Sequence, residues 1–236
     1  MQHALTTHKG SRIALCKGVH QALDDFCWML KDITSRPTRI AEVVYLNSSA
    51  EGPHDASGKG AGGVWFPSSS LNPRGKFKHK AVLWPHKWPA DIIAKLVTTQ
   101  NPTGTVTNSN LELAGGLIHL EALLQTFNVR ERIFLSKTDN LATLFWQLKG
   151  SATTDKVPAR LLRLFGIHQR YHRYVPRHDY ICGPSNPIAD DSSRMFELSD
   201  DELLSYFNTK YYYMCPKQKN TCQLWTPSPQ LIAAVP

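Results

Sequence analysis

Pro53–Phe66 reads PHDASGKGAGGVWF. It sets one aspartate, Asp55, between a proline-histidine step and a run of small residues. HDAS has the look of a strand, GKGAGG of a turn, and VWFP of a second strand. With KAVLWPHKWP (80–89) as a third, the stretch predicts an antiparallel meander. An aspartate beside glycines is usually a turn residue, because both suit tight turns. Any other role for Asp55 needs partners elsewhere in the chain.

Downstream the pattern becomes alternating. TTQNPTGTVTNSN (98–110) carries the loop signals Asn-Pro and Thr-Gly, and LELAGGLIHLEALLQTF then lines up Leu113, Leu117, Leu120 and Leu124 as a helix. RIFLSKTDN is a buried strand, LATLFWQL a helix, PARLLRLFGIHQRYHRY a longer helix, HDYICG a last short strand, and IADDSSRMF opens a terminal helix. The order predicts an α/β fold, a mixed sheet with helices on its faces. Upstream, Val19, Leu23, Phe26, Met29, Leu30 and Ile33 recur at helical spacing until SRP (35–37). AEVVYLN reads as a short extended segment, and SSAEGP (48–53) as a linker. LSDDELLSYF is one more amphipathic helix, and the tail TKYYYMCPKQKNTCQLWTPSP reads as irregular. The expected organisation is an N-terminal helical segment (1–50), a central α/β domain (51–196), and a C-terminal helix and tail (197–236).

The chain has 236 residues, enough for a sizeable core, and its 42% hydrophobic and 19% charged residues exclude a disordered or fibrous chain. No apolar run approaches the roughly 18 residues of a membrane span. The first residues lack the apolar core of a signal peptide, so a cytoplasmic or nuclear, non-secreted address is expected. The five cysteines are odd in number and irregularly spaced, as reduced thiols are. A net charge of +8 favours a polyanionic partner. NPRGKFKHK (72–80) and ARLLRLFGIHQRYHRYVPRHDY (159–180) interleave basic and aromatic residues, as suits phosphate neutralisation and stacking. The same arginines also fit the wet face of a helix buried through Leu161, Leu162, Leu164, Phe165 and Ile167.

Three further acids stand, like Asp55, at the edges of regular elements. Glu112 lies at the start of a long helix, Asp139 at the carboxyl end of a strand, and Asp190 at the opening of the terminal helix. Ligands gather at such places in open α/β sheets. Each acid also has a plain structural reading. Asp55 suits a turn, Asp139 an Asx-turn or cap, and Asp190 or Asp191 a helix amino terminus, while SNLE (109–112) fits a capping box. Brought together, four carboxylates would repel each other, and divalent cations relieve that repulsion.

Taken in order, DAS with its downstream glycines, TNSNLELAG, SKTDNLAT and SNPIADDSSR resemble the ribonuclease H domain of retrotransposon reverse transcriptase polyproteins. The likeness spans about residues 52–196, and Asn186–Arg194 is similar to that domain's closing motif. DITSRPTRIAEVV resembles the connector between polymerase and ribonuclease H, so the chain is expected to be an excised or truncated piece. The resemblance implies a ribonuclease H-like fold, with a five-stranded mixed sheet flanked by helices. It also implies two Mg²⁺ ions, with Mn²⁺ as substitute, held by Asp55, Glu112, Asp139 and Asp190; the run Asp190-Asp191 leaves Asp191 as an alternative fourth ligand. Asn108, Ser109 and Asn110 are expected at the substrate's 2′-hydroxyl, and Ser57, Asn140, Arg173 and Asn186 complete the expected substrate contacts. The implied partner is an RNA–DNA hybrid, with a reverse transcriptase polymerase domain as a second partner and no membrane. The implied reaction is metal-dependent hydrolysis of the RNA strand, leaving a 5′-phosphate and a 3′-hydroxyl. Two alternatives stay open: an integrase- or transposase-like phosphoryl transferase of the same fold, and a catalytically silent nucleic-acid-binding relic.

Overall fold

The computed structural model describes residues 15–38, 40–44, 47–152, 156–211 and 222–228. Its centre is a mixed sheet of Ala50–Ala56 (β1), Gly60–Pro67 (β2), Val82–Lys87 (β3), Ile133–Thr138 (β4), Val175–Tyr180 (β5) and Gln223–Leu224 (β6), in the order β5-β4-β1-β2-β3-β6. β1, β2 and β3 form the expected antiparallel meander, while β4 joins β1, and β5 joins β4, in parallel. This is the five-stranded mixed sheet that the resemblance implies. The sixth strand is two residues of the tail paired parallel to β3, where the sequence reads as irregular.

The helices are Lys17–Ser35 (α1), Ile40–Val43 (α2), Ala90–Ile93 (α3), Asn108–Thr126 (α4), Leu141–Lys149 (α5), Lys156–His172 (α6), Pro187–Ser192 (α7) and Asp200–Lys210 (α8). The glycines of β2 explain how two of them reach the sheet. A Cβ on Gly62 would lie 2.2 Å from Ser192 Oγ of α7, and one on Gly63 would lie 3.0 Å from His119 Nδ1 of α4. Successive strand residues face opposite ways, so α4 and α7 press on opposite faces of the sheet at its least bulky point. Beneath α4 and α6 the core is Trp65, Trp84, Leu113, Leu120, Phe134, Leu161 and Phe165. On the other face Val64 and Leu83 meet Ile188, Leu203, Phe207 and Tyr211. Residues after 197 therefore supply part of the second core layer.

Several local expectations shift. SSAEGP is not a linker, because its second half is the start of β1, whose backbone pairs with β2 and β4 on both sides. GKGAGG is mostly strand, with the turn confined to 57–59. AEVVYLN does not open as an extended segment, since residues 40–43 form a helical turn; Tyr45 and Leu46 lie outside the described residues. The long helix stops at His172 because Arg173 takes φ 58°, and β5 starts earlier than HDYICG suggests. Cys215 and most of the tail lie outside the described residues.

The N-terminal helix packs the reverse of its apolar pattern. Leu23, Phe26, Leu30 and Ile33 are exposed, whereas Asp32 is buried. Asp32 takes Arg36 from its own helix and Arg170 from α6, and Asp25 takes Arg163 (Nη2 to Oδ1, 2.7 Å). Charge pairs thus fasten α1, and Arg163 and Arg170 are committed within the chain rather than offered to a polyanion. Asp32→Ala leaves two guanidinium groups without their shared carboxylate. Trypsin is expected to cut at Lys17 and Lys31 several-fold faster in that variant, while the sheet core stays protected. Raising the salt should produce part of the same effect in the unaltered chain. Equal cutting rates in variant and parent would mean that apolar contacts, not ions, hold α1.

Candidate metal centre

The parallel strands β1 and β4 end side by side, and that edge carries the acids. Asp55 is the last but one residue of β1, opposite Gly62 of β2, and Asp139 directly follows β4. Glu112 reaches the same place from the second turn of α4. Oxygen atoms of these three carboxylates lie within 4.8 Å of one another. Asp55 is only 6% exposed and Glu112 2%.

The helix start differs from the SNLE capping box. Thr107 is the N-cap, and it exchanges hydrogen bonds with Asn110: Asn110 N to Thr107 Oγ1 at 3.3 Å, and Thr107 N to Asn110 Oδ1 at 2.8 Å. Glu112 is therefore released from capping and turned toward the other acids. Its Oε2 is buried with no hydrogen-bond partner. Burial first, and then the charge of Asp55, push its carboxyl well above the ordinary value; Asp139 adds to this, and a hydrogen bond with the Ala56 backbone opposes it. Burial and the Asp55 charge also raise Asp139, helped by Asp190 and opposed by Arg194. Crowded, partly desolvated carboxylates with an unused oxygen are the donor set of a hard divalent cation. Asp55, Glu112 and Asp139 fit one.

Asp190 stands at the rim rather than within this trio. It is near enough to act on Asp139, but its Oδ1 accepts from Arg194 Nε at 2.8 Å and Nη2 at 2.6 Å. Asp191, the alternative, is committed elsewhere: its Oδ2 accepts from Tyr206 (2.9 Å), Lys210 (2.7 Å) and Tyr211 (2.6 Å), tying α7 to α8.

The other anticipated residues divide by position. Asn108 is exposed at the first turn of α4, with Ser109 half-buried beside it. Asn140 caps α5 by accepting from Thr143 N at 3.0 Å, and Thr143 Oγ1 donates to Ser109 O at 3.1 Å, which joins the two helix starts next to Asp139. Ser57 is buried and donates to Ser193 O at 2.8 Å, a brace between the β1–β2 turn and α7. Asn186 is buried, its Nδ2 donating to His54 O at 3.3 Å. Asn110 faces away from the carboxylates, since helix residues two apart point about 200° apart. Arg173 lies before the amino end of β5, whereas the acids cluster at the carboxyl ends of β1 and β4. It pairs with Glu131 and does not join the site.

Three further residues belong to the centre. Ser193 donates to Asp55 Oδ2 at 2.6 Å, Arg194 holds Asp190, and Gly183 lies against Asp139, where a Cβ would come within 3.1 Å of Oδ2. Of these, only Arg194 has a local signal, its place four residues after Asp190; Ser193 reaches Asp55 from far along the chain.

No protein-family model and no curated protein sequence matches the chain. Among solved structures, it is similar to ribonuclease H1 from the halophilic archaeon Halobacterium salinarum NRC-1. That likeness has 15% identity and a TM-score of 0.36, and covers 61% of this chain and 92% of that one. At those values it bears no weight beyond what the sheet and the acids themselves establish. Among the described residues no helix is long and apolar enough to cross a membrane.

Proposed function

We propose that the chain is a metal-dependent nuclease that hydrolyses the RNA strand of RNA–DNA hybrids, as a component of a retroelement's reverse transcription machinery. The observation that carries this reading is the convergence of Asp55, Glu112 and Asp139 at the carboxyl edge of a ribonuclease H-like sheet. Asp55, Glu112 and Asp139 would hold the Mg²⁺ ions. Asp190 would complete the set by exchanging Arg194 for an ion, an exchange its exposed position allows. When bound, the ions supply an activated water and neutralise charge at the scissile phosphate.

The chain's own residues do the rest. Ser193 fixes the Asp55 carboxylate through the 2.6 Å hydrogen bond. Asn108 and Ser109, at the start of α4, would meet a 2′-hydroxyl across the minor groove, the feature that separates RNA from DNA. Net charge +8 draws the polyanion in. Three acids at one sheet edge fit phosphodiester hydrolysis better than a silent relic, whose sequence would have no need to keep Glu112 Oε2 buried without a partner.

The test is nicking of a labelled RNA–DNA hybrid. Cuts confined to the RNA strand, present with Mg²⁺ or Mn²⁺ and absent with EDTA, are expected, with duplex DNA and duplex RNA left intact. Cutting of DNA would favour a transposase-like transferase of the same fold, and binding without cutting would favour the relic.

A further inference from the structure

On the side of α4 away from Glu112 there is a cavity of about 290 Å³, near the lower bound of small-ligand sites. Its walls are apolar: Trp88 at the end of β3, Ile92 of α3, Ala114 and Ile118 of α4, and Leu161 of α6. Its polar groups are few and differ in kind.

Among the residues that line it is Asn110, 2% exposed. Its Oδ1 is used by the Thr107 N–H, but Nδ2 is buried with no partner. A buried donor without an acceptor costs stability unless something supplies the acceptor. Beside it the His86 ring, set edge-on to Trp88, is held neutral, its pKa pushed down to about 4 by burial. Two cations also line it: Lys95, which pairs with the exposed Asp91 at 3.4 Å, and the exposed Arg160.

Apolar walls, an amide donor without an acceptor and two cations among the lining residues suit a ligand with a heteroaromatic body and an anionic group. We propose that this cavity is a second, non-hydrolytic binding site for a nucleotide. The base enters between Trp88 and Ile118 and accepts a hydrogen bond from Asn110 Nδ2, while the phosphate meets Arg160 and Lys95. Two sources present that chemistry, a free mononucleotide and the unpaired terminal nucleotide of a strand. The site does not require the carboxylates to cleave anything, so it stands or falls apart from the reading above.

Calorimetric titration of the whole chain with adenosine 5′-monophosphate and uridine 5′-monophosphate, with adenosine and inorganic phosphate as controls, tests this. Saturable binding of at least one monophosphate is expected, with both controls weaker. Ile92→Trp, which fills the slot from its half-buried rim, should abolish binding. Arg160→Gln changes an exposed side chain and should weaken the monophosphate roughly tenfold while leaving adenosine unchanged. Displacement of the monophosphate by a hybrid with a one-nucleotide overhang, but not by a blunt one, assigns the site to strand ends; no displacement assigns it to the free nucleotide. Absence of saturable binding by both monophosphates overturns the proposal. So does binding that both substitutions leave untouched, or inorganic phosphate binding as tightly as the nucleotides.

Discussion

Asp55→Asn is expected to stop RNA-strand cleavage while leaving the fold and hybrid binding in place. Asparagine keeps an oxygen for the Ser193 hydroxyl, so the brace between β1 and α7 survives. What it loses is an anionic oxygen of the trio, from the group whose charge acts on both Glu112 and Asp139. Single-turnover cleavage in Mg²⁺ should fall by a factor on the order of a thousand, equivalent to about 4 kcal/mol of transition-state stabilisation. Binding, read by fluorescence anisotropy of a labelled hybrid, should be unchanged or tighter, because a negative charge has gone from a site that receives phosphate. Cleavage at the parental rate would remove Asp55 from the chemistry.

The largest effect on stability should come from acid. His119 lies fully buried between the sheet and α4, stacked on Trp65 with ring centroids 3.9 Å apart. Trp84 Nε1 donates to its Nδ1 at 2.8 Å, which leaves Nε2 to carry the proton and donate to Gly52 O at 3.1 Å. Both nitrogens are committed to the neutral form, and burial holds the pKa well below its ordinary value. Burial likewise lowers His54 to about 3 and His178 to about 4. A depressed histidine gives stability that is complete above its unfolded value near 6.5 and is lost as the pH falls toward the folded value.

By pH 4.5 each such histidine should therefore cost roughly 2–3 kcal/mol, against a total stability of about 5–15 kcal/mol. Glu112 acts in the opposite direction. Its raised pKa favours the fold below its unfolded value, and that contribution is lost as the pH rises. The variant His119→Leu isolates one term. It should be less stable at pH 7 by about 1–3 kcal/mol, since the Trp84 N–H loses its acceptor. It should also lose less between pH 6.5 and 4.5 than the parent. Urea unfolding at a series of pH values reads both, and equal slopes in variant and parent would show that His119 does not titrate with unfolding.

What sequence reasoning could and could not see follows from how far each feature depends on distant contacts. The meander, the long helices and the position of Asp139 after a strand rest on local periodicity, and they stand in the structure. GAGG reads as a turn because glycine suits turns. Its actual use, letting α4 and α7 approach opposite faces at Gly62 and Gly63, is a tertiary demand without a local signature. SSAEGP reads as a linker for the same reason, since only pairing on both sides makes its second half a strand.

The capping residue was misplaced by two positions. Thr107 and Ser109 offer the same chemistry, and only the backbone decides which one ends the loop. Arg163, Arg170 and Arg173 look like a polyanion surface until Asp25, Asp32 and Glu131 arrive from other elements. Of the four acids, the three on or beside strands and the long helix converge. Asp190, on the short α7, is instead held by Arg194, four residues on.

A crystal of the chain grown with Mn²⁺ and measured at an energy where manganese scatters anomalously tests the central claim most directly. The account predicts anomalous peaks at the carboxyl edge of β1 and β4, with oxygens of Asp55, Glu112 and Asp139 at about 2.1 Å from an ion, and their loss in Asp55→Asn. A map with no peak among those three carboxylates at saturating Mn²⁺, or a peak that persists unchanged in the variant, would contradict it.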